Sequence, residues 1–331
     1  MEQIRMGVIG CGGIAQGHIQ RLAQMPQVSI TALADPSKDR IAFTKSTQQA
    51  TADSKEFAGH KELLEAGLTD AVLIASPHTC HFDQIIESLE GGRHVLCEKP
   101  MACTIEHAGE ILKKVGETEK VFLLSYQRHF SGGFRYIKRL IAEGVLGEVQ
   151  FVSALQCQNW YHMTKGSWRQ TQELSGGGQL NDSGSHLVDI ILWTTGLAVD
   201  CVSAYADHFD TEVDINSALS LRFTNGAQGN ISVIGNCPGW WEDLTFVGSR
   251  GAIYSRNGKI THVDAETGEV AEMVKFADAG NPDTNFISAI RGGEEVQSSA
   301  ICGLRVIELT EAAWQSAAKD GRPVTVPRSS I

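Results

Sequence analysis

Met6-Gly7-Val8-Ile9-Gly10-Cys11-Gly12-Gly13-Ile14-Ala15 is the stretch on which the fold turns. Its apolar run reads as a buried strand, broken at once by Gly-x-Gly-x-x-Ala. Beyond it Ile14, His18, Ile19, Leu22 and Met25 recur at three- and four-residue steps, the period of a helix. Strand, glycine turn and helix in this order are the dinucleotide-binding fingerprint of a Rossmann unit. Gly10 permits the tight turn, Gly12 lets the backbone approach a pyrophosphate, and Ala15 is small enough for the helix to pack on the strand. The N–H groups of the first helical turn then face the phosphates. Gly10, Cys11, Gly12, Gly13, Ile14 and Ala15 are expected to hold such a cofactor.

Working outward, Val28–Ala34 is a second strand and Asp35 follows it, about 20 residues past the turn. A carboxylate there accepts from the ribose hydroxyls and repels a 2′-phosphate, so NAD is favoured and NADP is less expected. Lys38 and Arg40 pull the other way, and Asp35 also suits a simple turn before Pro36. Asp70–Ser76 is a further buried strand ended by Pro77; a helix over 82–89 closes at Gly91-Gly92, and His94–Cys97 is the next strand. Alternating strands and helices over 5–125 predict a doubly wound parallel sheet whose ligand lies at the carboxyl ends of the strands. Ser76, Pro77 and His78 leave such an end and, with His81, are expected beside the cofactor. The next strand runs into Glu98-Lys99-Pro100, placing Lys99 where the nicotinamide would lie, with Pro100 restricting the backbone. Val121–Ser125 is the last parallel strand and delivers Tyr126-Gln127-Arg128-His129 to the same crevice. Glu98 and Gln127 are expected at the cofactor, and Arg128 at a substrate hydroxyl or the cofactor.

The 331 residues, 42% hydrophobic, allow two domains, expected at 1–125 and 126–331. The net charge of −11 without a basic run excludes nucleic acid and anionic membrane as partners. No apolar run approaches ~20 residues and the first strand starts near Met1, so the expected location is cytoplasmic. Eight scattered cysteines without C-x-x-C suit reduced thiols. His78, Cys80 and His81 lack further converging ligands, so no metal is expected.

The second half shifts toward period two after a helix around 134–142. Strands are expected at 149–155, 201–209, 217–224, 227–234, 244–247, 251–255, 259–263 and 270–276, with Asn225-Gly226 as a type I′ hairpin. Short strands with tight turns predict an antiparallel sheet. Helices at 284–291 and 303–318 close the chain. Trp160, Tyr161, His162, Trp168 and Arg169 precede Gly176-Gly177-Gly178; indoles stack on sugar C–H faces and Arg169 donates to hydroxyls, although Trp160 and Trp168 equally suit packing. Asp182 and His186, four apart on an expected helix running through Trp193, share a face.

The Gly10-to-Ala15 turn, Glu98-Lys99-Pro100 and Gly176-Gly177-Gly178-x-x-x-Asp182-x-Gly184-x-His186, in this order, resemble the Gfo/Idh/MocA oxidoreductases over essentially the whole chain. The resemblance implies a Rossmann domain followed by an α/β domain with a large open antiparallel sheet, a Lys-Pro peptide that is often cis, and Lys99, Asp182 and His186 as a catalytic set. It also implies a pocket for a sugar or polyol formed by Lys99, Arg128, Trp160, His162, Trp168, Arg169, Asp182 and His186. The expected activity is hydride transfer between NAD and a carbinol of a sugar, polyol or inositol. A non-catalytic, sugar-responsive NAD-binding regulator and a glycoside hydrolase using NAD transiently are the alternatives; the three residues together favour the enzyme. A homodimer or homotetramer is expected, with Ala204, Ala206, Ser220 and Leu221 on a flat sheet face open to a partner.

Overall fold

The computed structural model describes residues 3–273 and 276–329. They divide into two compact units, Met1–Ala102 with Glu106–Tyr126 and Gly280–Ile301 in the first, and Cys103–Ile105 with Gln127–Ala279 and Cys302–Ile331 in the second.

The first unit alternates β1 (Ile4–Ile9), α1 (Gly13–Leu22), β2 (Val28–Ala34), α2 (Lys38–Thr47), β3 (Lys55–Phe57), α3 (His60–Glu65), β4 (Ala71–Ile74), α4 (His81–Glu90), β5 (His94–Cys97), α5 (Ile105–Gly116) and β6 (Phe122–Leu124). The six strands form one sheet in the order β3-β2-β1-β4-β5-β6, and every pair in it is parallel. The order reverses between β1 and β4, the switch point at which open α/β sheets take ligands. β4 and most of β5 are buried on both faces, as strands covered by helices on both sides must be. Ala15, Ile19 and Leu22 of α1 enter the core with Val8, Leu33 and Leu96. Ile14 breaks the expected apolar stripe: it is 48% exposed at the glycine turn.

The second unit holds α6 (Gly132–Ala142), β7 (Val149–Cys157), α7 (Trp160–Met163), α8 (Gln172–Ser175), α9 (Gly184–Thr195), β8 (Val199–Asp207), β9 (Asn216–Phe223), β10 (Gln228–Ile234), β11 (Trp241–Gly248), β12 (Gly251–Arg256), β13 (Lys259–Asp264) and β14 (Val270–Met273). The expected strand over 270–276 includes 274 and 275, which lie outside the described residues. After these come α10 (Pro282–Ile290), α11 (Ala300–Ala317) and β15 (Val324–Thr325). Nine strands form a sheet in the order β14-β13-β12-β11-β7-β10-β9-β8-β15. It is antiparallel as expected, except that β10 lies parallel to β7.

Four expectations change. The cut at residue 126 misses a return of the chain: Pro282–Ile290 packs beside α1, β5 and β6, with Phe286 and Ile287 in the first unit's core. The Asn225-Gly226 turn is not type I′, because only Gly226 has positive φ; Phe223 N bonds Ala227 O, closing a three-residue loop with glycine in the left-handed position. Asp182 precedes α9, which starts at Gly184, so helical spacing does not relate it to His186. On the sheet, Ala204 and Leu221 are buried, while the open face is carried by Phe151, Tyr205, Ala218, Ser220, Arg222 and Trp241. Among the described residues no helix is long and apolar enough to cross a membrane.

Candidate active site

In the first unit the turn after β1 is built as the glycines require. Gly10 has φ +89°, and a Cβ there would lie 2.7 Å from the Ala75 and Ser76 backbone, so the ends of β1 and β4 touch at the switch point. A Cβ on Gly13 would meet nothing within 4 Å. Among the described residues α1 has neither a side-chain cap nor an acidic residue in its first turn, so its N-terminal N–H groups and the positive end of its dipole are left for an anion. These residues fit a dinucleotide. Asp35 is 8% exposed; its Oδ2 accepts from Cys11 N and its Oδ1 from Ser37 N, each at 2.8 Å. The carboxylate thus braces the glycine turn as well as closing β2. Arg40 lies over the same turn, Nη1 3.2 Å from where a Gly12 Cβ would sit.

The expected cofactor contacts beyond β4 and β5 are more internal than their sequence suggests. Ser76 Oγ donates to Gln84 Oε1 at 2.6 Å, and His78 is 4% exposed beside His81, ring centroids 6.0 Å apart. His81 is fully buried, with Nδ1 2.7 Å from Pro100 O and Nε2 3.0 Å from Ser76 O. Burial lowers its pKa, and the neutral ring donates through one nitrogen; we assign the proton to Nδ1, the shorter contact. Pro77 leads into this segment.

The Lys99-Pro100 peptide is cis. Glu98 continues β5, its N–H donating to Ile74 O at 2.8 Å, but its carboxylate turns inward. Glu98 Oε1 meets His18 Nε2 at 2.9 Å, and His18 Nδ1 meets Asp283 Oδ1 at 2.6 Å, while Arg21 donates from Nε to Asp283 Oδ2 at 2.5 Å. A neutral imidazole has one N–H and cannot serve two carboxylates. Burial alone would lower the His18 pKa, but the hydrogen bonds it donates to Asp283 and Glu98 outweigh it and carry it to about 9. Burial likewise opposes ionisation of Glu98, and the His18 hydrogen bond and charge bring it down to about 2. His18 and the part-exposed Arg21 balance Glu98 and Asp283, which lets both carboxylates be buried as ions. Sequence reasoning read His18 as a core position and missed its chemistry, because Asp283 is 265 residues away.

In the second unit Asp182 is 5% exposed, and its Oδ2 accepts from Trp160 Nε1 at 2.8 Å and Arg169 Nε at 3.0 Å. Two donors hold it as a carboxylate. Trp160, at 2% exposure, is therefore no open stacking platform: it packs with Val213 and Ile215 and presents its N–H to Asp182. Trp168 stacks under the Arg169 guanidinium, 4.4 Å from its ring centre. His162 is exposed, and Tyr161 lies against it at 4.8 Å. His186 is half-buried in the first turn of α9. Gln127 is exposed, whereas Arg128 donates from Nη2 to Glu242 Oε2 at 2.6 Å. Its Nη1 is buried with no hydrogen-bond partner among the described residues, one donor left for a ligand.

Two of the three glycines before Asp182 answer to Asp214 and its partner Trp314, a pair that sequence reasoning missed. A Cβ on Gly178 would lie 1.8 Å from Asp214 O, and one on Gly177 would lie 2.4 Å from the Trp314 ring. Asp214 accepts from Gly178 N at 3.0 Å, Leu180 N at 2.8 Å and Trp314 Nε1 at 2.9 Å, and so shapes the approach to Asp182. Asp189 faces His129, Oδ2 to Nε2 2.8 Å, with Trp193 stacked on the imidazole at 4.3 Å. Cys302 places its ligand atom within 4.8 Å of both. Burial raises the Asp189 pKa against the pull of His129.

Residues 4–126 match the oxidoreductase family with an NAD-binding Rossmann fold, and residues 134–254 match the GFO/IDH/MocA C-terminal domain. The chain belongs to the Gfo/Idh/MocA family of NAD-dependent oxidoreductases. It is 25% identical to levoglucosan dehydrogenase of Pseudarthrobacter phenanthrenivorans over 100% of both chains. Inositol 2-dehydrogenase of Rhizobium meliloti is also 25% identical, over 96% of this chain and 97% of that one. Among solved structures, the WlbA dehydrogenase of Bordetella pertussis, in complex with NADH and UDP-GlcNAcA, superposes with a TM-score of 0.83 at 26% identity, covering 99% of this chain and 100% of that one.

Proposed function

We propose that the protein passes a hydride between NAD and a carbinol or carbonyl carbon of a sugar, polyol or inositol, with Lys99, Asp182 and His186 as its catalytic residues. The observation that carries this reading is Lys99 at the carboxyl end of β5, in the same parallel sheet whose β1 turn is left open for a dinucleotide phosphate. Relatives named for levoglucosan and inositol support a polyhydroxylated substrate. Gly10 to Ala15, Asp35 and Ser76 to His78 hold the cofactor in this reading, and Asp35 favours NAD over NADP.

Bound NAD supplies the hydride acceptor. His186 takes the proton of the reacting hydroxyl; at the N-terminus of α9 the helix dipole disfavours the imidazolium and keeps a base available near neutral pH. Lys99 donates a hydrogen bond to the oxygen as it becomes an alkoxide, lowering the energy of the charge that develops. Asp182, fixed by Trp160 and Arg169, offsets the dipole near His186 and orients it. Arg128 offers Nη1 to a substrate hydroxyl. The protein works as a homodimer or homotetramer through the open face of its nine-stranded sheet, and its eight free cysteines suit the cytoplasm.

The test is a panel of polyols, inositols, aldoses and glycosides, each with NAD and with NADP, followed by nicotinamide absorbance. Net NADH formation with a polyhydroxylated substrate is expected. No response to any of them despite measurable NAD binding overturns the reading in favour of a regulator, and glycoside cleavage without net NADH in favour of a hydrolase.

A further inference from the structure

The turn that carries Lys99 is gripped from both ends. On one side is His18, 1% exposed, which reaches Glu98 through Nε2 and Asp283 through Nδ1 at 2.9 and 2.6 Å. On the other is His81, 0% exposed, which donates from Nδ1 to Pro100 O at 2.7 Å, while its Nε2 lies 3.0 Å from Ser76 O. Between them the second oxygen of Glu98 accepts from the backbone N–H of Lys99 at 3.3 Å. The Glu98 side chain therefore bends back over the backbone of the next residue, and His18 holds it there.

We propose that His18 and His81 are positioning residues for Lys99, fixing the two ends of its turn so that the amine points in one direction. The inference rests on the role given to Lys99 above. Burying an imidazole and a carboxylate strips both of water, an unfavourable step offset only when they are fully hydrogen-bonded. Here the bonded groups lie on the residues immediately before and after Lys99. Asp283 comes from α10, the segment that returns to the first unit late in the chain, and Arg21 steadies its second oxygen. The grip on Glu98 is thus anchored to two helices, α1 and α10, and the grip on Pro100 to α4, whose first residue is His81. A side chain carried on a loosened turn loses alignment with its target, and ~1 Å of misplacement is enough to cost ~100-fold in rate.

The experiment is a set of double-mutant cycles. H18Q and H81Q are each measured in the parent and in the K99A background, with NAD affinity by fluorescence titration and the melting temperature recorded for every variant. Each single change is expected to lower kcat about tenfold, leaving the KM and affinity for NAD within about threefold. In the K99A background each is expected to change kcat less than twofold, since a residue acting through Lys99 has nothing left to position. D283N provides the same test where H18Q does not fold, because it releases His18 on the side away from Glu98. Unchanged turnover in K99A overturns the role of Lys99 and this inference with it. A K99A loss to which H18Q, D283N or H81Q adds in full overturns the inference alone, as does a loss that appears in NAD affinity instead of kcat.

Discussion

Asp35 joins a structural duty to the proposed choice of cofactor, and a substitution touches both. In the proposed reading its carboxylate repels a 2′-phosphate, and both of its oxygens already accept backbone N–H groups, from Cys11 and Ser37. Asp35→Ser removes the repulsion but also loosens the glycine turn. NADP affinity is expected to rise relative to NAD while the affinity for NAD falls by more than tenfold, read by titration with both cofactors. An unmodified protein that already prefers NADP would show Arg40, which lies over Gly12, to dominate. His18 sets a stability profile. Its folded pKa of about 9 lies above the 6.5 of a free imidazole, so the stabilisation is fully present below 6.5 and is lost as pH rises through 9. Denaturant unfolding between these limits should show stability falling with pH in the parent and a flatter profile in H18Q; equal slopes would refute the charged, doubly bonded ring. Residues whose chemistry is local were legible in the chain: the positive φ of Gly10 and the strand-end placement of Asp35 and Lys99 follow from a short window. The role of His18 was not legible, since its partners lie 80 and 265 residues away.

At the scale of elements, period and punctuation were enough to place β1, β2, β5 and α4 to within a residue or two of where they lie. β3 and α3 were missed because three- and six-residue elements hold too few positions to display a period. The approach to α9 failed for another reason. Gly176-Gly177-Gly178 reads as the entry to a helix, yet Gly176 closes α8 at φ +65°, and Gly177 and Gly178 face Trp314 and Asp214, which press against the chain. The helix starts only at Gly184, and Asp182 owes its place to turns and to Trp160 and Arg169. Gly178→Ala would push a methyl to 1.8 Å from Asp214 O, so the whole segment must shift. A loss of about 2–4 kcal/mol is expected, the range of severe overpacking or strain, measured by urea denaturation. A change below about 0.5 kcal/mol would mean that the loop yields freely.

For the whole molecule, the order of strands and helices along the chain revealed two architectures, but not that Gly280–Ile301 returns to the first. Nothing in the periodicity of α10 says which sheet it covers; Phe286 and Ile287 would suit either core. The residues expected on the open sheet face mix the two sides of the sheet: Ser220 lies on the open one, whereas Ala204 and Leu221 are buried on the other. Strand alternation distinguishes two sides but not which one the helices take, so buried Ala204 and Leu221 were assigned to the side that Tyr205 and Ser220 occupy. A face bearing Phe151, Tyr205 and Trp241 is the basis for the proposed oligomer. Light scattering at micromolar concentration is expected to give at least twice the 35.8 kDa of one chain, and Ser220→Arg to shift it toward that value. A parent mass near 35.8 kDa would reject the oligomer.

The proposed chemistry turns on His186, which accepts the proton as hydride leaves the substrate carbon. It is tested most directly by the turnover of His186→Ala beside its NAD affinity, on a substrate that the parent oxidises well. Removing a general base typically lowers rate by ~10²–10⁴. A loss of at least about a hundredfold in kcat is expected, with NAD affinity within about threefold of the parent. Near-parental turnover in His186→Ala would contradict it.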